Sequence, residues 1–461
     1  MSLAARGLIT IEQLRQQVAE GTIDTVVNAI CDMQGRLLGK RVTGDFFVEH
    51  CIEHGTHFCV YLLGTDMEML TPDGYALMNW ETGYGDWQAR PDWGTLRMIP
   101  WLERTVLVLA DAADEATGEL IAVAPRTILR RQIARAAERG LHLKLASELE
   151  FYLLAETYEG AQAKGFQGLR PFGWYNEDYH LLQATKAEPF YRQLRNQLSA
   201  AGIPIEFSKG EAAPGQHELN FHYADALEAA DRHALLKHGA KELAWQNGRA
   251  ITFMAKPDHS WTGSSSHIHL SAWDEAGARN LFHEPDGDPY GMSATMRHFL
   301  GGLITCAPEL SLFAASNVNS YKRYAVASWA PTGVAWGRDN RTCGFRIVGH
   351  GQSLRIENRL PGADANGYLA YAACLAAGLH GIEHRIEPPA EYRGNAYTAT
   401  DVPRVPRALY ESIGLWEGSA VARAAFGDDV VAHYLNMARV EQRTYDAAVT
   451  SWERERYLER G

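Results

Sequence analysis

The stretch HLKLASELEFYLL, residues 142–154, decides the reading of this chain, because it is a strand pattern that carries two acids where a buried strand wants none. Successive residues of a strand face opposite sides, so Glu148 and Glu150 project together from one face of an otherwise apolar segment. Two carboxylates buried side by side repel and resist ionisation, so such a strand needs a cation, basic partners or water before it. A solvent-facing sheet edge accounts equally well for this one segment. The same pattern recurs, however, in His267, His269 and Ser271 after a Gly-Ser turn and in Arg355, Glu357 and Arg359, while GEAAPGQHELNF adds Glu211 and Glu218 around a Pro-Gly turn. An ion pair or a core histidine explains any single one. Four in one chain point to a single polar site assembled from several strands.

Working outward, residues 142–273 alternate strands and helices without a clean βαβ repeat. Helices are predicted near Glu188 to Ala201 and Ala224 to Gly248, followed by the strand runs ITFMA and SSSHIHLSAW. The fold class is therefore α+β with a mainly antiparallel sheet. Upstream, a helix is predicted near Ile11 to Glu20, an apolar strand over Thr25 to Cys31 and another over Thr105 to Ala110. Pro125 opens a helix with Leu129, Ile133 and Ala136 on one face, ended by Gly140. The short elements and turn-rich segments of residues 1–110 read as a small first domain, with a larger one over 111–461.

The chain has 461 residues, room for two or three domains and a large core. Forty-four Lys and Arg against fifty-six Asp and Glu give a formal charge of -12, so no general basic field draws in nucleic acid or an anionic membrane surface. The longest small-apolar run, Tyr368 to Leu379, falls short of the roughly 18 residues a bilayer span requires. The N-terminus turns amphipathic before a signal-peptide core forms, which predicts a cytoplasmic protein. Six cysteines include no CxxC pair and read as buried thiols rather than disulfides or a zinc site. No Walker A or GxGxxG loop is present, so a phosphate ligand is held some other way.

Glutamates with an imidazole make an oxygen-dominated donor set suited to Mg²⁺ or Mn²⁺. Arginines cluster beyond it: Arg323 in NSYKRY, Arg341 and Arg346 in NRTCGFRI, then Arg355 and Arg359. Guanidinium forks, carboxylates and divalent cations are the parts of a phosphoryl-transfer site, and structural Arg–Glu pairs are the competing reading.

In these residues, from about position 25 to the C-terminus, the chain resembles the glutamine synthetase superfamily. The ordered segments are ELEF, EAAPGQHELNF, FMAKPDHSWTGSSSHIHLS, NSYKRY, NRTCGFRI, RIENRLPGADANGYLA and TSWERERYL. The resemblance implies a small N-terminal β-grasp domain and a catalytic domain with a curved antiparallel sheet. It implies homo-oligomeric rings, commonly two stacked hexamers forming a dodecamer, with sites between neighbours. By matching position, Glu150, Glu211 and Glu218 correspond to ligands of one metal, and Glu148, His267 and Glu357 to ligands of a second. Arg323 and Arg359 correspond to residues holding the glutamate carboxylate, with Gly263 beside it, and Arg341 to the arginine facing the moving phosphate. His269, Ser271, Arg355 and Arg346 fall on the nucleotide side. The implied reaction is phosphorylation of the glutamate γ-carboxylate by ATP, with two or more Mg²⁺ or Mn²⁺ ions per site, then attack by an amine.

Two departures bear on the amine. Ammonia-using members carry a flap glutamate six residues past the NSYKR arginine, where this chain has Trp329, and an indole is neither base nor counter-ion. Their DGSS loop, which sends an aspartate to the neighbouring subunit, is here LLGTDMEMLTPDGYALMNW, with Asp66 the best counterpart and Asp73 its competitor. The pattern resembles the γ-glutamyl-amine ligases of the superfamily, with Tyr61, Trp80, Tyr84, Trp87 and Trp329 as candidate walls of an apolar amine pocket. An ammonia-dependent glutamine synthetase and a catalytically silent ring-forming scaffold are the alternatives. Tyr397, matching a region where some family members are adenylylated, is predicted to be an ordinary exposed tyrosine.

Overall fold

The computed structural model describes residues 6–325 and 328–461; the first five residues of the N-terminal reading and residues 326–327 of the flap lie outside it. The first sheet has six strands, β1 (Thr25–Cys31), β2 (Leu37–Thr43), β3 (Thr56–Cys59), β4 (Asp86–Pro91), β5 (Arg97–Met98) and β6 (Thr105–Ala113). Their order is β2-β1-β6-β4-β3, with β5 also on β6. Its central pair, β1 and β6, is parallel and its other pairs are antiparallel. β6 runs past the predicted end at Ala110 because Asp111, which breaks the apolar pattern, is neutralised by Arg126 and Arg130.

The second sheet is built on β7 (His142–Leu154), the strand quoted at the outset. Around it lie β8 (Ile205–Gly210), β9 (Gln216–Phe221), β10 (Ala224–Asp225), β11 (Ala250–Thr252), β12 (Ser266–Trp273), β13 (Trp336–Arg338), β14 (Phe345–Val348) and β15 (Arg355–Asn358). The order is β13-β14-β15-β12-β7-β9-β8, with β10 and β11 also pairing with β7. Among the described residues of this sheet only the edge pair β13/β14 is parallel. β7 bonds β12 along its first eight residues and passes to β9 and β11 along its last, so the sheet curls about this one long strand.

Helices Ala226–Gln246 and Gly367–Glu383 cover the face of β7 that bears Ser147. The run Tyr368 to Leu379 lies in the second of these, buried on all sides, and Tyr371 hydroxyl meets Ser147 Oγ at 2.6 Å on the side of β7 opposite the two glutamates. Among the described residues no helix is long and apolar enough to cross a membrane. The predicted helix at Glu188 begins earlier, spanning Leu181–Ala200 with Pro189 inside it. Proline reads as a helix start because it lacks an N–H, but here the helix runs through it and loses one backbone bond.

The two sheets are tied by buried polar contacts. Arg126 binds Asp92 and Asp111 of the first unit and Asp231 of the second, and Tyr368 donates to Asp231 at 2.6 Å. Asn366 Nδ2 donates to the carbonyls of Asp32 and Met33.

Candidate active site

Strand register brings the acids together. On β7, Glu148 pairs with His267 of β12 and Glu150 with Glu218 of β9, while His269 of β12 pairs with Glu357 of β15 and Glu357 with Arg346 of β14. Glu211 joins from the turn after β8. Two groups result: Glu150, Glu211 and Glu218 place carboxylate oxygens within 4.8 Å of one another, and Glu148, His269 and Glu357 bring two carboxylate oxygens and a ring nitrogen equally close. His267 stands at the second group too, its Nδ1 3.0 Å from Glu148 Oε2 and 3.6 Å from Glu357 Oε1. Its Nε2 is buried without a partner. Arg355 Nε donates to His269 Nδ1 at 3.0 Å, so His269 carries its proton on Nε2 and gives it to Glu148 Oε1 at 2.6 Å.

The two groups differ in charge. Burial and the adjacent Glu211 push Glu150 up to about 8. Burial together with Glu148, Glu211 and Glu150 pushes Glu218 well above the carboxylate range. At Glu148 burial acts in the same direction, but His269 and His267 outweigh it and hold the group well below its ordinary value. Glu357 is likewise lowered against burial, by Arg359 and the two histidines. Burial and Arg359 take His267 down to about 4, so it is a neutral imidazole. Glu150 and Glu218, both pushed upward beside Glu211, together with Glu148, Glu357 and two imidazoles, are a donor set that fits hard divalent cations.

The arginines divide into those that face the cluster and those that support it. Arg359 Nη1 donates to Glu357 Oε1, while its Nε is buried and unpartnered. Arg346 Nη1 donates to Glu357 Oε2 at 2.9 Å and its Nε to Asp339 at 3.0 Å. Arg323 is 1 % exposed and its fork is already engaged by Ser265 Oγ and by the carbonyls of Leu360 and Arg359. A Cβ on Gly263 would stand 2.6 Å from Arg323 Cγ, so glycine there permits this packing. Arg341 stands exposed at the rim beside Asp339.

Beside Glu148 opens a cavity of about 500 Å³ whose wall includes His269, Ser271 and Arg355. Four further residues lining it were missed in the sequence: Lys144, Phe207, Tyr223 and Trp273. Lys144 Nζ sits 4.5 Å from the Trp273 ring centroid, and Trp273 Nε1 donates to Ser271 Oγ at 2.9 Å. Strand alternation carries the signal for two of them, since Lys144 shares a face with Glu148, and Trp273 with His269 and Ser271.

The structure does not bring Asp66 into this cluster. Its Oδ1 accepts the amides of Glu68 and Leu70, and Arg36 donates to its carbonyl at 2.8 Å. Of the aromatic candidates, Trp80 is 79 % exposed with Tyr84 edge-on against it, and Tyr61 is partly exposed. Trp87 is a core residue, 1 % exposed and packed on Phe58, with its indole N–H spent on Cys59 carbonyl. It is therefore no pocket wall. Trp329 lies in the flap at φ 60, a costly conformation for a bulky residue, with its ring 57 % exposed. Tyr397 corrects the sequence reading as well: it is 8 % exposed, so the hydroxyl is not presented for modification.

Comparison with known proteins places this geometry. The family model "Glutamine synthetase, catalytic domain" matches residues 122–457. The chain is 52 % identical to the γ-glutamylethanolamide synthetase of Streptomyces coelicolor over 98 % of its own length and 96 % of the relative's. It is 37 % identical to a glutamate–isopropylamine ligase of a Pseudomonas species, over 97 % and 98 %. A solved GmaS–ADP complex superposes with a TM-score of 0.85 at 31 % identity, covering 98 % of this chain and all of that one.

Proposed function

The chain belongs to the glutamine synthetase family, and from that membership we propose that it spends ATP to join the γ-carboxylate of glutamate to a small organic amine, by way of γ-glutamyl phosphate. It is an ATP-dependent glutamate–amine ligase, and the two most similar relatives described above are named for ethanolamide and isopropylamide formation. The observation that carries the choice of amine is Trp329, an uncharged ring at the flap position where ammonia-using members place a carboxylate. A wall of that kind offers area to an alkyl or aryl substituent and nothing to bare ammonium.

In this reading Glu150, Glu211 and Glu218 hold one Mg²⁺ or Mn²⁺ ion and Glu148, His267 and Glu357 a second. Cations held there neutralise phosphate oxygens and act as Lewis acids. Arg359 keeps an unpartnered Nε for the glutamate carboxylate, and Arg323 fixes the backbone of Arg359 and Leu360 beneath it. Arg341 at the rim meets the phosphate in transit, stabilising charge that develops there. His269, Ser271, Arg355 and Arg346 border the nucleotide, whose base has Tyr223, Phe207 and Trp273 available as ring partners.

Asp66 lies outside the cluster of its own chain, and in this reading a neighbouring copy supplies it, in the ring oligomer, a dodecamer of two hexamers, that the family resemblance implies. We place the division at residues 1–110 and 111–461, close to the end of the first sheet, whose last strand β6 ends at Ala113. Six free thiols and an ATP-dependent reaction accord with the cytoplasm.

The test is phosphate release from ATP with glutamate and Mg²⁺ across ammonium, ethanolamine, isopropylamine, putrescine and aniline, with mass detection of the amide. An organic amine that supports turnover where ammonium does not is the expected result. Clear preference for ammonium would make this a glutamine synthetase with an altered flap, and silence throughout would favour a scaffold.

A further inference from the structure

On β7, on the same face as Glu148 and nearer the start of the strand, stands a lysine with no carboxylate to answer it. Among the described residues Lys144 Nζ forms no ion pair, and its neighbours are rings, the Trp273 centroid at 4.5 Å and that of Tyr223 at 6.0 Å. Strand register sets Lys144 opposite Ser271 and diagonal to Trp273, a pairing that a long side chain can span. Ser271 Oγ takes the Trp273 indole N–H at 2.9 Å, which fixes the plane of the ring beneath the ammonium. Beyond β12 the chain turns back through Gly277 at φ 64, where a Cβ would stand 3.1 Å from Lys144 Nζ. The half-buried lysine is thus seated in the wall of the 500 Å³ cavity rather than released to solvent.

The cavity is long enough for more than a phosphate. At about 3.4 Å per residue of strand, Lys144 lies about 14 Å from Glu148, close to the reach of an extended nucleoside triphosphate from its terminal phosphate to its base. Ala146, between them on that face, is small and leaves the floor open. At the Lys144 end Tyr223 and Phe207 line the cavity with rings that are half open to solvent, whereas Trp273 is mostly covered and carries the ammonium. A further stretch of wall, Gln352 to Leu354, is fixed by Asn280, which is fully buried. Asn280 Nδ2 donates to the carbonyls of Gln352 and Leu354 at 3.1 and 2.8 Å, and its backbone amide donates to Gln352 Oε1 at 2.8 Å. Walls held in this way receive a flat ring without first having to be ordered.

An ammonium carries three N–H donors and no acceptor, so it discriminates among the base edges it meets. Purines present acceptors there, N7 of adenine or N7 and O6 of guanine, whereas cytosine presents an amino donor. We infer that Lys144 is a base-reading residue: with the base stacked on Tyr223, Lys144 Nζ donates to an acceptor on the purine edge and so sets a preference for purine nucleotides. This rests on the ligase reading above, which requires a nucleotide in the cavity but gives this lysine no part in holding it. The seat on Trp273 and the Gly277 turn already restrict the side chain, so little of its freedom is lost when the base arrives. A base with a donor at that edge leaves the ammonium desolvated and without a bond, and this asymmetry is the source of the discrimination.

The test is calorimetric titration of the Mg²⁺-loaded protein with ADP, CDP and pyrophosphate, for the wild type, Lys144→Met and Lys144→Arg. Lys144→Met is expected to weaken ADP about tenfold, the worth of one charge-assisted hydrogen bond, and to leave pyrophosphate within about twofold. Its preference for ADP over CDP should shrink by about the same factor as its ADP affinity, while Lys144→Arg, which keeps a cationic donor, should retain most of that preference. In turnover Lys144→Met should raise the KM for ATP with kcat and the glutamate KM unmoved, a split that a loosened fold would not give. Equal weakening of ADP and pyrophosphate, an unchanged preference for ADP over CDP, or a loss in Lys144→Arg as complete as in Lys144→Met overturns the inference. A wild type that binds both ligands beside an unaltered Lys144→Met overturns this inference alone. A wild type that binds neither overturns the ligase reading, and the inference with it.

Discussion

Replacing Glu150 by glutamine should make the metal-free protein more stable at high pH and the metal-loaded enzyme inactive. Glu150 is 7 % exposed, and burial with Glu211 beside it puts its folded pKa near 8, against about 4.5 for the unfolded chain. Because the folded value is the higher one, the group's contribution is fully present below about pH 4.5 and is lost as pH rises to about 8. The loss is about 1.4 kcal/mol per pH unit and at most about 5 kcal/mol in all. A glutamine never ionises, and its carbonyl can still accept the Ser265 amide that Glu150 Oε2 takes at 2.8 Å. The variant should therefore match the wild type near pH 5 and exceed it by up to about 5 kcal/mol above pH 8. For a chain of this length unfolding entropy is about 1 kcal/mol/K, so the gap in Tm is about 5 °C.

Scanning calorimetry in EDTA and in Mg²⁺, at half-unit steps from pH 7 to 8.5, is the assay. In that window the buried imidazoles do not interfere, since His217 and His233 near 3 and His267 and His433 near 4 are neutral when folded, and a free histidine is mostly so. Mg²⁺ should reverse the ranking by stabilising the wild type more, since the variant keeps only the Glu148 group intact. A metal-free Glu150→Gln protein that melts below wild type at pH 8, or a gap that does not widen with pH, would refute the account of the cluster as mutually repelling ligands.

Glu357→Gln should abolish turnover and cost about 3 kcal/mol in a denaturant melt, because it leaves Arg346 and Arg359 facing an amide in a site that is fully buried; wild-type turnover would sink the ligand assignment. Trp329→Glu should move amine preference toward ammonium in the phosphate-release panel, and an unchanged ranking would show that the flap does not select the amine. Tyr223→Ala should raise the KM for ATP about tenfold, the worth of one ring contact, with the amine KM unmoved. Equal effects on both would place Tyr223 outside the nucleotide side.

What was legible in the sequence follows from how each residue is placed. A side chain on a strand has its face fixed by parity alone, so Glu148, Glu150, His267, His269 and Glu357 could be seen to converge once their segments were taken as neighbours. The family resemblance supplied that neighbourhood. Parity also held Lys144 and Trp273, which went unread because a lysine and a tryptophan near a strand end look like ordinary surface and core. Burial of a ring was not legible: Trp80 and Trp87 sit in one turn-rich segment, yet the first is open and the second is core, because only Trp87 lies on β4 against Phe58. Tyr397 failed in the same way.

Loop residues failed for a deeper reason. Asp178 and Tyr179 face Lys209 only because Glu177 reaches Gly215, 38 residues on, and Arg323 is fixed beside Arg359 because its fork finds carbonyls 36 and 37 residues away. Neither contact has a periodicity to betray it. If the flap chooses the amine while strand-borne side chains handle the phosphate, substitutions at Trp329 should change which amine is used and leave glutamate-dependent nucleotide binding intact. Substitutions on β7, β12 and β15 should do the opposite, and that separation can be measured one residue at a time.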